Sequence, residues 1–254
     1  MNPLIVIPTY NESLNVEKII RKIFSSTAKS LKIHVLVVDD NSPDGTAAIV
    51  KQLIKNEFSR SLSLMQRPEK SGLGTAYIDG FKWGLVKEYD VFVEMDADFS
   101  HHPRYLEGML AQTEFYDFIV GSRYVKNGGV RGWGPGRKFI SLFGSLYAKT
   151  ILNLPIHDLT GGFNVWKRPV LETINLDTVQ SEGYAFQIEL KYRAFRHAFR
   201  YLEYPIVFED RLKGKSKMSR NIVLEAIYRV WRLRWSKIGR MSYHICLCIF
   251  GGRF

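Results

Sequence analysis

Cysteine is nearly missing from this sequence. Only Cys246 and Cys248 occur in 254 residues, one position apart near the end. A structural disulfide is not expected from such a pair, and a reducing compartment fits. S-acylation is the one modification their position suggests. Long apolar runs are missing too. Nothing approaches the ~18 residues needed to span a bilayer, and the longest late stretch, Tyr243–Phe250, is too short. No basic segment followed by an apolar core precedes the first strand candidate, Leu4-Ile-Val-Ile-Pro8, so a secretory signal is not expected. Acids are scarce, 25 against 36 Lys and Arg, giving a net charge of +11. The shortage is local: between Arg211 and Arg240 ten basic residues face one acid, Glu225. A block of that kind argues for an anionic surface or ligand, with a solvated charged face as the plainer alternative.

What is present alternates. Strand candidates at Leu4–Ile7, Ile33–Val38, Leu62–Met65, Val91–Met95 and Phe118–Val120 are separated by helix candidates at Leu14–Phe24, Thr46–Asn56, Thr75–Val86 and Pro103–Gln112. Four β-then-α units predict one compact α/β domain with a mostly parallel sheet and helices on both faces. Ligands of such sheets bind beyond the carboxyl ends of the strands, where Tyr10, Glu12, Asp39, Asp40, Asp96, Asp98 and Arg123 fall. Residues 125–137 hold five glycines and a proline and read as a mobile loop beside the site, a lid or else a plain surface excursion. After it come a helix near Lys138–Leu152, a turn at Leu159–Phe163, a helix near Tyr184–Arg196 and a strand at Tyr201–Phe208. Ile222–Lys237 reads as an amphipathic helix. Glu225, Arg229, Arg232 and Ser236 form its polar face, and Leu224, Ile227, Tyr228, Trp231 and Trp235 its apolar one. That apolar face either packs on the core or lies in a membrane interface.

The chemistry centres on Val91–Asp98, an apolar run that ends in two carboxylates at i, i+2. As a strand it would present Asp96 and Asp98 on the same side, where they could hold a hard divalent cation with positions open for phosphate oxygens. Asp40 could accept from a base or ribose, whereas Asp44 suits a turn and helix cap. His101 and His102 read as helix-entry or wall residues before ligands. Gly72-Leu-Gly74 lacks the third glycine of a dinucleotide site, which disfavours a hydride-transfer cofactor. Arg123, Arg137, Arg211 and Lys217 are the candidate phosphate-binding cations.

Several motifs occur in order: Pro8-Thr-Tyr-Asn-Glu12, Asp39-Asp-x-Ser-Pro-Asp-Gly-Thr46, Gly72-Leu-Gly-Thr-Ala-Tyr-Ile78, Met95-Asp-Ala-Asp98 with Ser100-His-His-Pro103, Gly121-Ser-Arg-Tyr124, Asp158-Leu-Thr-Gly161 and Gly183-Tyr-x-Phe-Gln187. Together they resemble the dolichol- or polyprenol-phosphate mannosyltransferases among the family-2 inverting glycosyltransferases, over roughly residues 3–220. The resemblance implies a GT-A nucleotide-sugar fold in residues 1–220, followed by a basic amphipathic helix and short apolar tail in 221–254. It implies transfer of mannose from GDP-mannose to a polyprenyl or dolichyl phosphate in a membrane. Pro8, Tyr10, Glu12, Val38, Asp40 and Ala97 would hold the donor, and Asp96 and Asp98 would engage Mg²⁺ or Mn²⁺. Arg123, Arg137, Ser141, Arg211 and Lys217 match positions for donor and lipid phosphates, with Asp98, Arg123 and Arg137 nearest the chemistry. Ser100 stands where relatives carry a glutamine ligand.

A phosphate monoester is mostly dianionic at neutral pH, so the acceptor needs no general base. Asp158 is then a positioning acid more readily than a base. The expected location is peripheral, on the cytoplasmic face of a membrane, held by the basic helix, by Tyr243–Phe250 or by an anchor subunit. Alternatives are a transferase using a UDP-sugar and a non-enzymatic basic module for nucleic acid or membrane. The acidic strand ends speak against nucleic acid.

Overall fold

The computed structural model describes residues 1–28, 31–210 and 220–236, the last stretch by its backbone alone as far as 226. Arg211, Lys217, the lysine cluster between them and the Cys246/Cys248 tail lie outside the described residues.

The opening alternation appears as β1 (Pro3–Thr9), α1 (Val16–Ser26), β2 (His34–Asp39), α2 (Thr46–Asn56), β3 (Leu62–Gln66), α3 (Leu73–Val86) and β4 (Val91–Glu94). A 3₁₀ turn at Pro103–Tyr105 leads into α4 (Leu106–Ala111), where one continuous helix was expected; β5 (Phe118–Ser122) follows. The remainder comprises β6 (Gly129–Arg131), α5 (Pro135–Leu152), β7 (Asn164–Lys167), α6 (Arg168–Thr173), α7 (Gly183–Arg196), β8 (Tyr201–Pro205), β9 (Val207–Glu209) and α8 (Arg220–Trp235).

Seven strands form one sheet in the order β3-β2-β1-β4-β7-β5-β8. All of its pairings are parallel except the two made by β7, which runs antiparallel between β4 and β5. The mostly parallel α/β architecture expected from the alternation is therefore present. Side chains alternate across the sheet. Leu4, Val6, Leu36, Val38, Phe92 and Phe118 enter a core layer with α3, α5, α7 and α8. Ile5, Ile7, Val35, Val37, Val93 and Ile119 enter the opposite layer with α1, α2 and α4. Helix α3 lies very close to the sheet because it carries glycine there. A Cβ on Gly80 would stand 2.5 Å from Val6 Cγ1, and one on Gly84 would stand 2.5 Å from Leu4 Cδ2.

Two expectations need correction, and a third carries two readings. The glycine-rich segment 125–137 is not wholly loop: Gly129–Arg131 pairs in parallel with Val207–Glu209, and α5 already begins at Pro135. Glycine lowers strand propensity, but a partner strand supplies the missing hydrogen bonds. The expected strand over Tyr201–Phe208 is divided at Ile206, so β8 joins the main sheet and β9 joins β6. Of the two orientations left open for the aromatic face of α8, the inward one is not found. Val230 and Leu233 are buried in the core, while Ile227, Tyr228, Trp231 and Trp235 are exposed.

Candidate active site

Six of the seven strands of the main sheet end at one edge, and β7 begins there, so the loops after β1, β2, β4 and β5 and the loop entering β7 all lie at that edge. β1 and β2 bring the first group. Asp39 is buried and anchored, accepting from Thr9 Oγ1 at 2.8 Å and from the Ser42 amide at 3.0 Å. Asp44 accepts from the Thr46 amide at the start of α2 and from the Ser13 amide. It thereby ties the two loops together in the turn-and-cap role expected of it, and those bonds hold its carboxyl below the usual range against the upward push of burial. Asp40 is occupied as well. Arg67, which the sequence did not single out, donates to it at 2.9 Å, to Gly72 O at 3.3 Å and to Thr75 Oγ1 at 2.7 Å, and lies 3.2 Å from Asp79. Burial still pushes the Asp40 carboxyl up despite this guanidinium. Tyr10 sits under Lys70, whose ammonium is 4.2 Å from the ring centroid. Glu12 accepts from Asn15 Nδ2 at 3.0 Å. Pro8 pairs in register with Val38. The Val38 side chain is wholly in the core, so only its main chain can face a nucleoside.

The acidic pair lies beyond β4, not on it. The strand ends at Glu94, and Asp96 and Asp98 follow in a turn. Strand alternation therefore does not set their directions. Asp96 keeps 32% of its side chain exposed, whereas Asp98 and Ala97 are buried. The turn is held from below. His101 Nδ1 accepts from the Asp96 amide at 3.0 Å, Asp98 Oδ1 accepts from the Ser100 amide at 3.1 Å, and Tyr77 reaches Asp96 Oδ1 at 3.4 Å. Among the described residues, no three His, Cys, Asp or Glu side chains converge on a metal position. The donors nevertheless fit a hard cation that draws its other ligands from phosphate and water. The Ser100 hydroxyl, buried beside Asp98 with no hydrogen-bond partner, is a further oxygen at that spot.

His101 connects the acids to the cations. Buried, with its basicity lowered by desolvation, it stacks on Phe163 at 5.1 Å and meets the edge of Phe208 at 5.6 Å. It is the wall residue expected, as is His102, whose ring accepts from the Arg104 amide. Phe208 in turn lies 5.1 Å from Trp133 and 5.6 Å from the Arg123 guanidinium. Arg137, in the first turn of α5, stacks over Trp133 at 4.2 Å and donates to Asp210 at 2.8 Å. A chain of ring contacts through His101, Phe208 and Trp133 thus links the acidic turn to Arg123 and Arg137.

Arg123 has a stronger local role than expected. Its Nε and Nη2 make a two-pronged pair with Asp158 at 2.7 Å each, and Nη2 also donates to Thr160 at 2.9 Å. Burial works against both charges, but their mutual attraction prevails. Arg123 is pushed further up and Asp158 is held below the usual carboxylate range. Asp158 also accepts from the Arg123 and Gly161 amides. A carboxylate so placed is a clamp, not a proton acceptor. The clamp exists because β7 is antiparallel, so its entry loop lies beside the end of β5. Beneath that loop is a buried group the sequence reading missed. Lys191 Nζ donates to Leu159 O and Gly161 O at 3.2 and 2.6 Å, and Glu94 accepts from Asn164 and Trp166 at 2.9 Å each. Burial pushes the Glu94 carboxyl up and the Lys191 ammonium down.

A cleft of about 90 Å³ opens beside Arg137, lined by Trp133, Ser141, Tyr147, Thr160, Tyr184 and Ile227. Ser141 accepts from the Tyr124 hydroxyl at 2.8 Å. Past it, α5 exposes Phe139, Ile140, Leu142, Phe143 and Leu146. The Gly72–Gly74 turn takes an acidic partner: the Gly74 amide donates to Glu182 at 3.1 Å.

The family model described as glycosyl transferase family 2 matches residues 4–174. Among curated proteins, the chain is 42% identical to polyprenol monophosphomannose synthase of Mycolicibacterium smegmatis, over 94% of this chain and 88% of that one. It is 41% identical to undecaprenyl-phosphate mannosyltransferase of Micrococcus luteus, over 94% and 96%. Among solved structures, glucosyl-3-phosphoglycerate synthase from Mycobacterium tuberculosis with Mn²⁺ and UDP-glucose superimposes with a TM-score of 0.64. It is 16% identical, over 91% of this chain and 78% of that one. The same enzyme with Mg²⁺ and UDP gives a TM-score of 0.62 at 16% identity, over 90% and 79%. Matched by that family model over most of its length and by these relatives over nearly all of it, the chain belongs to glycosyl transferase family 2 and has its GT-A fold.

Proposed function

We propose that this chain transfers mannose from GDP-mannose to a polyprenyl phosphate, with inversion at the anomeric carbon, on the cytoplasmic face of a membrane to which it attaches peripherally. The names of two relatives matched over nearly the whole chain support the reaction class. The observation that carries the reading is a juxtaposition. The turn that carries Asp96 and Asp98 is linked through the rings of His101, Phe208 and Trp133 to Arg137, and an apolar cleft with Ser141 in its wall opens beside that arginine. One end suits a nucleotide diphosphate and the other a phosphate carried on a hydrocarbon.

The chemistry asks little of proton transfer. An oxygen of the dianionic acceptor phosphate forms a bond to C1 of mannose while the bond from C1 to the GDP oxygen breaks and its electron pair leaves with GDP. In-line displacement converts the α-linked donor to a β-linked product. A divalent ion bound at Asp96 and Asp98 would neutralise the departing diphosphate. Arg137 and Ser141 orient the incoming phosphate, and Arg123, paired with Asp158, fixes the loop at 159–161 beside them. The Asp40–Arg67 pair, with Tyr10 and Lys70, forms the nucleoside end. A carboxylate there matches the two adjacent N–H donors on the edge of guanine, where uracil offers one.

No described helix is long and apolar enough to cross a membrane. The exposed apolar faces of α5 and α8 are the surface by which the protein would meet the lipid, unless an anchor subunit covers part of them. Incubating pure protein with labelled GDP-mannose, GDP-glucose, UDP-glucose and UDP-galactose and a polyprenyl phosphate, with and without EDTA, tests the proposal. Lipid-soluble label from GDP-mannose alone, abolished by EDTA, is the expected result. Preferred use of a UDP-sugar would overturn the donor assignment.

A further inference from the structure

The usual partner for a serine or threonine hydroxyl inside a helix is the carbonyl oxygen four residues back. Thr150 of α5 follows that rule and donates to Leu146 O at 2.9 Å. Ser141 in the same helix does not. Among the described residues its hydroxyl makes one hydrogen bond, and makes it as the acceptor, from the Tyr124 hydroxyl at 2.8 Å. A hydroxyl carries one hydrogen and two lone pairs. With one lone pair taken by Tyr124 and no bond to the carbonyl of Arg137, the Ser141 hydrogen is left for an acceptor that enters the cleft. Ser141 stands in the cleft wall with Arg137, one turn earlier on the same face of α5. Thr160 lines the cleft too, but its hydroxyl accepts from Arg123 at 2.9 Å and is shared with Ser145 at 3.1 Å.

Tyr124 is held in place behind this contact. It directly follows Arg123, whose guanidinium is clamped by Asp158 and lies 5.1 Å from the Tyr124 ring centroid. Its amide donates to Ser122 Oγ at 3.4 Å, and the Ser122 hydroxyl in turn donates to Glu203 at 2.8 Å. The ring is half-buried. Burial pushes the phenol up from its ordinary value, so it stays protonated and remains a donor at neutral pH. Hydroxyls linked in a chain polarise one another, and the bond from Tyr124 makes Ser141 a better donor as well as a directed one.

We propose that Tyr124 is a positioning residue for the acceptor: by donating to Ser141 it aims the Ser141 hydroxyl hydrogen into the cleft, at an oxygen of a phosphate monoester bound beside Arg137. The inference rests on the reading of this cleft as the acceptor-phosphate site. Tyr124 does its work through Ser141 and not by touching substrate. Its hydroxyl therefore governs affinity for the phosphate and leaves the nucleotide end, built on β1 and β2, as it is. One motif, Gly121-Ser-Arg-Tyr124, then serves the cleft twice. Arg123 fixes the loop that carries Thr160, and Tyr124 directs the serine on α5.

Three full-length variants test the role: Y124F, which keeps the ring and its stacking but loses the hydroxyl, S141A, and the two combined. Farnesyl phosphate is the binding probe, and farnesol is the same chain without the phosphate. Each is titrated calorimetrically, as is GDP, and thermal melting is recorded for every variant. KM values for polyprenyl phosphate and for GDP-mannose are measured alongside. Y124F should bind farnesyl phosphate about three- to tenfold more weakly than the parent, and S141A about tenfold. The double variant should be no weaker than S141A, because the two residues act as one unit. Farnesol and GDP affinities and the KM for GDP-mannose should stay as in the parent, while the acceptor KM follows the phosphate affinity. Unchanged phosphate affinity in Y124F, or a loss that multiplies the loss in S141A, would overturn the positioning role and leave the transfer reaction standing. Equal losses for farnesyl phosphate, farnesol and GDP with a lowered melting temperature would mark a general structural role and overturn it too. The expected order of binding without mannose transfer by the parent would overturn the reaction and leave Tyr124 directing Ser141 at a phosphate. A parent protein that neither binds farnesyl phosphate nor transfers mannose would overturn both.

Discussion

Asp158 and Arg123 show at the level of single residues why position in a motif does not disclose role. The motif brings them together, but only the structure makes them a buried two-pronged pair. Removing one partner of such a pair leaves the other charge unpaired, at about 3–5 kcal/mol. Asp158→Ala should therefore melt well below the parent protein and lose transfer through misplacement of the loop at 159–161. Asp158 has its folded value below the unfolded one. Its contribution to stability is thus complete above the unfolded carboxylate value near ~4 and is lost as pH falls through the folded value. Melting temperatures measured from neutral to strongly acidic pH should converge for Asp158→Asn and the parent protein at the acid end; a constant gap would contradict the pairing. Asp40 makes a second test. Asp40→Asn keeps its size but weakens a charged hydrogen bond of roughly 1.5–3 kcal/mol, so GDP affinity should fall by an order of magnitude or more while UDP affinity changes little, as titration calorimetry would show.

Elements carry information that residues do not. Helix α3 can approach β1 and β2 because Gly80 and Gly84 leave no side chain between them. Gly80→Leu should overpack that layer and lower stability by about 1–3 kcal/mol or more, read as a reduced denaturation midpoint. The first four β-then-α units were legible in the sequence because long periodic runs separate strongly from their turns. The short elements were not. β7 has four residues and reads like a turn after Gly161-Gly162, and β6 lies in a segment whose glycines give no strand signal. Both depend on a partner distant in sequence. Helix α8 was foreseen with both orientations of its aromatic face left open; the inward residues Val230 and Leu233 are flanked by larger aromatics that dominate the pattern. Because α8 covers α5 and α7, deleting it would strip the core as well as the membrane face. Substitution is the cleaner test: Phe139→Ser with Phe143→Ser should cut vesicle partitioning by roughly 1.5–3 kcal/mol per ring without lowering the melting temperature.

At the scale of the molecule, the candidate site was legible as a set of strand ends and much less so as a set of contacts. The sheet order explains both. Parallel strands bring their carboxyl ends to one edge, so Tyr10, Asp40, Asp98 and Arg123 could be grouped from their positions alone. Arg67, Glu94 and Lys191 could not, because each is an ordinary polar residue until folding buries it against a partner. The same organisation gives the molecule a carboxylate end and an exposed apolar flank on α5 and α8, to which the proposed function assigns the charged donor and the lipid acceptor. The central claim is that the acidic turn after β4 grips a divalent ion on the departing diphosphate. Its most direct test is the transfer of labelled mannose from GDP-mannose to polyprenyl phosphate by the parent protein and by Asp98→Ala, over a range of Mn²⁺ concentrations. The account predicts metal-dependent transfer by the parent and none above background by the folded variant. Equal transfer by both would contradict it.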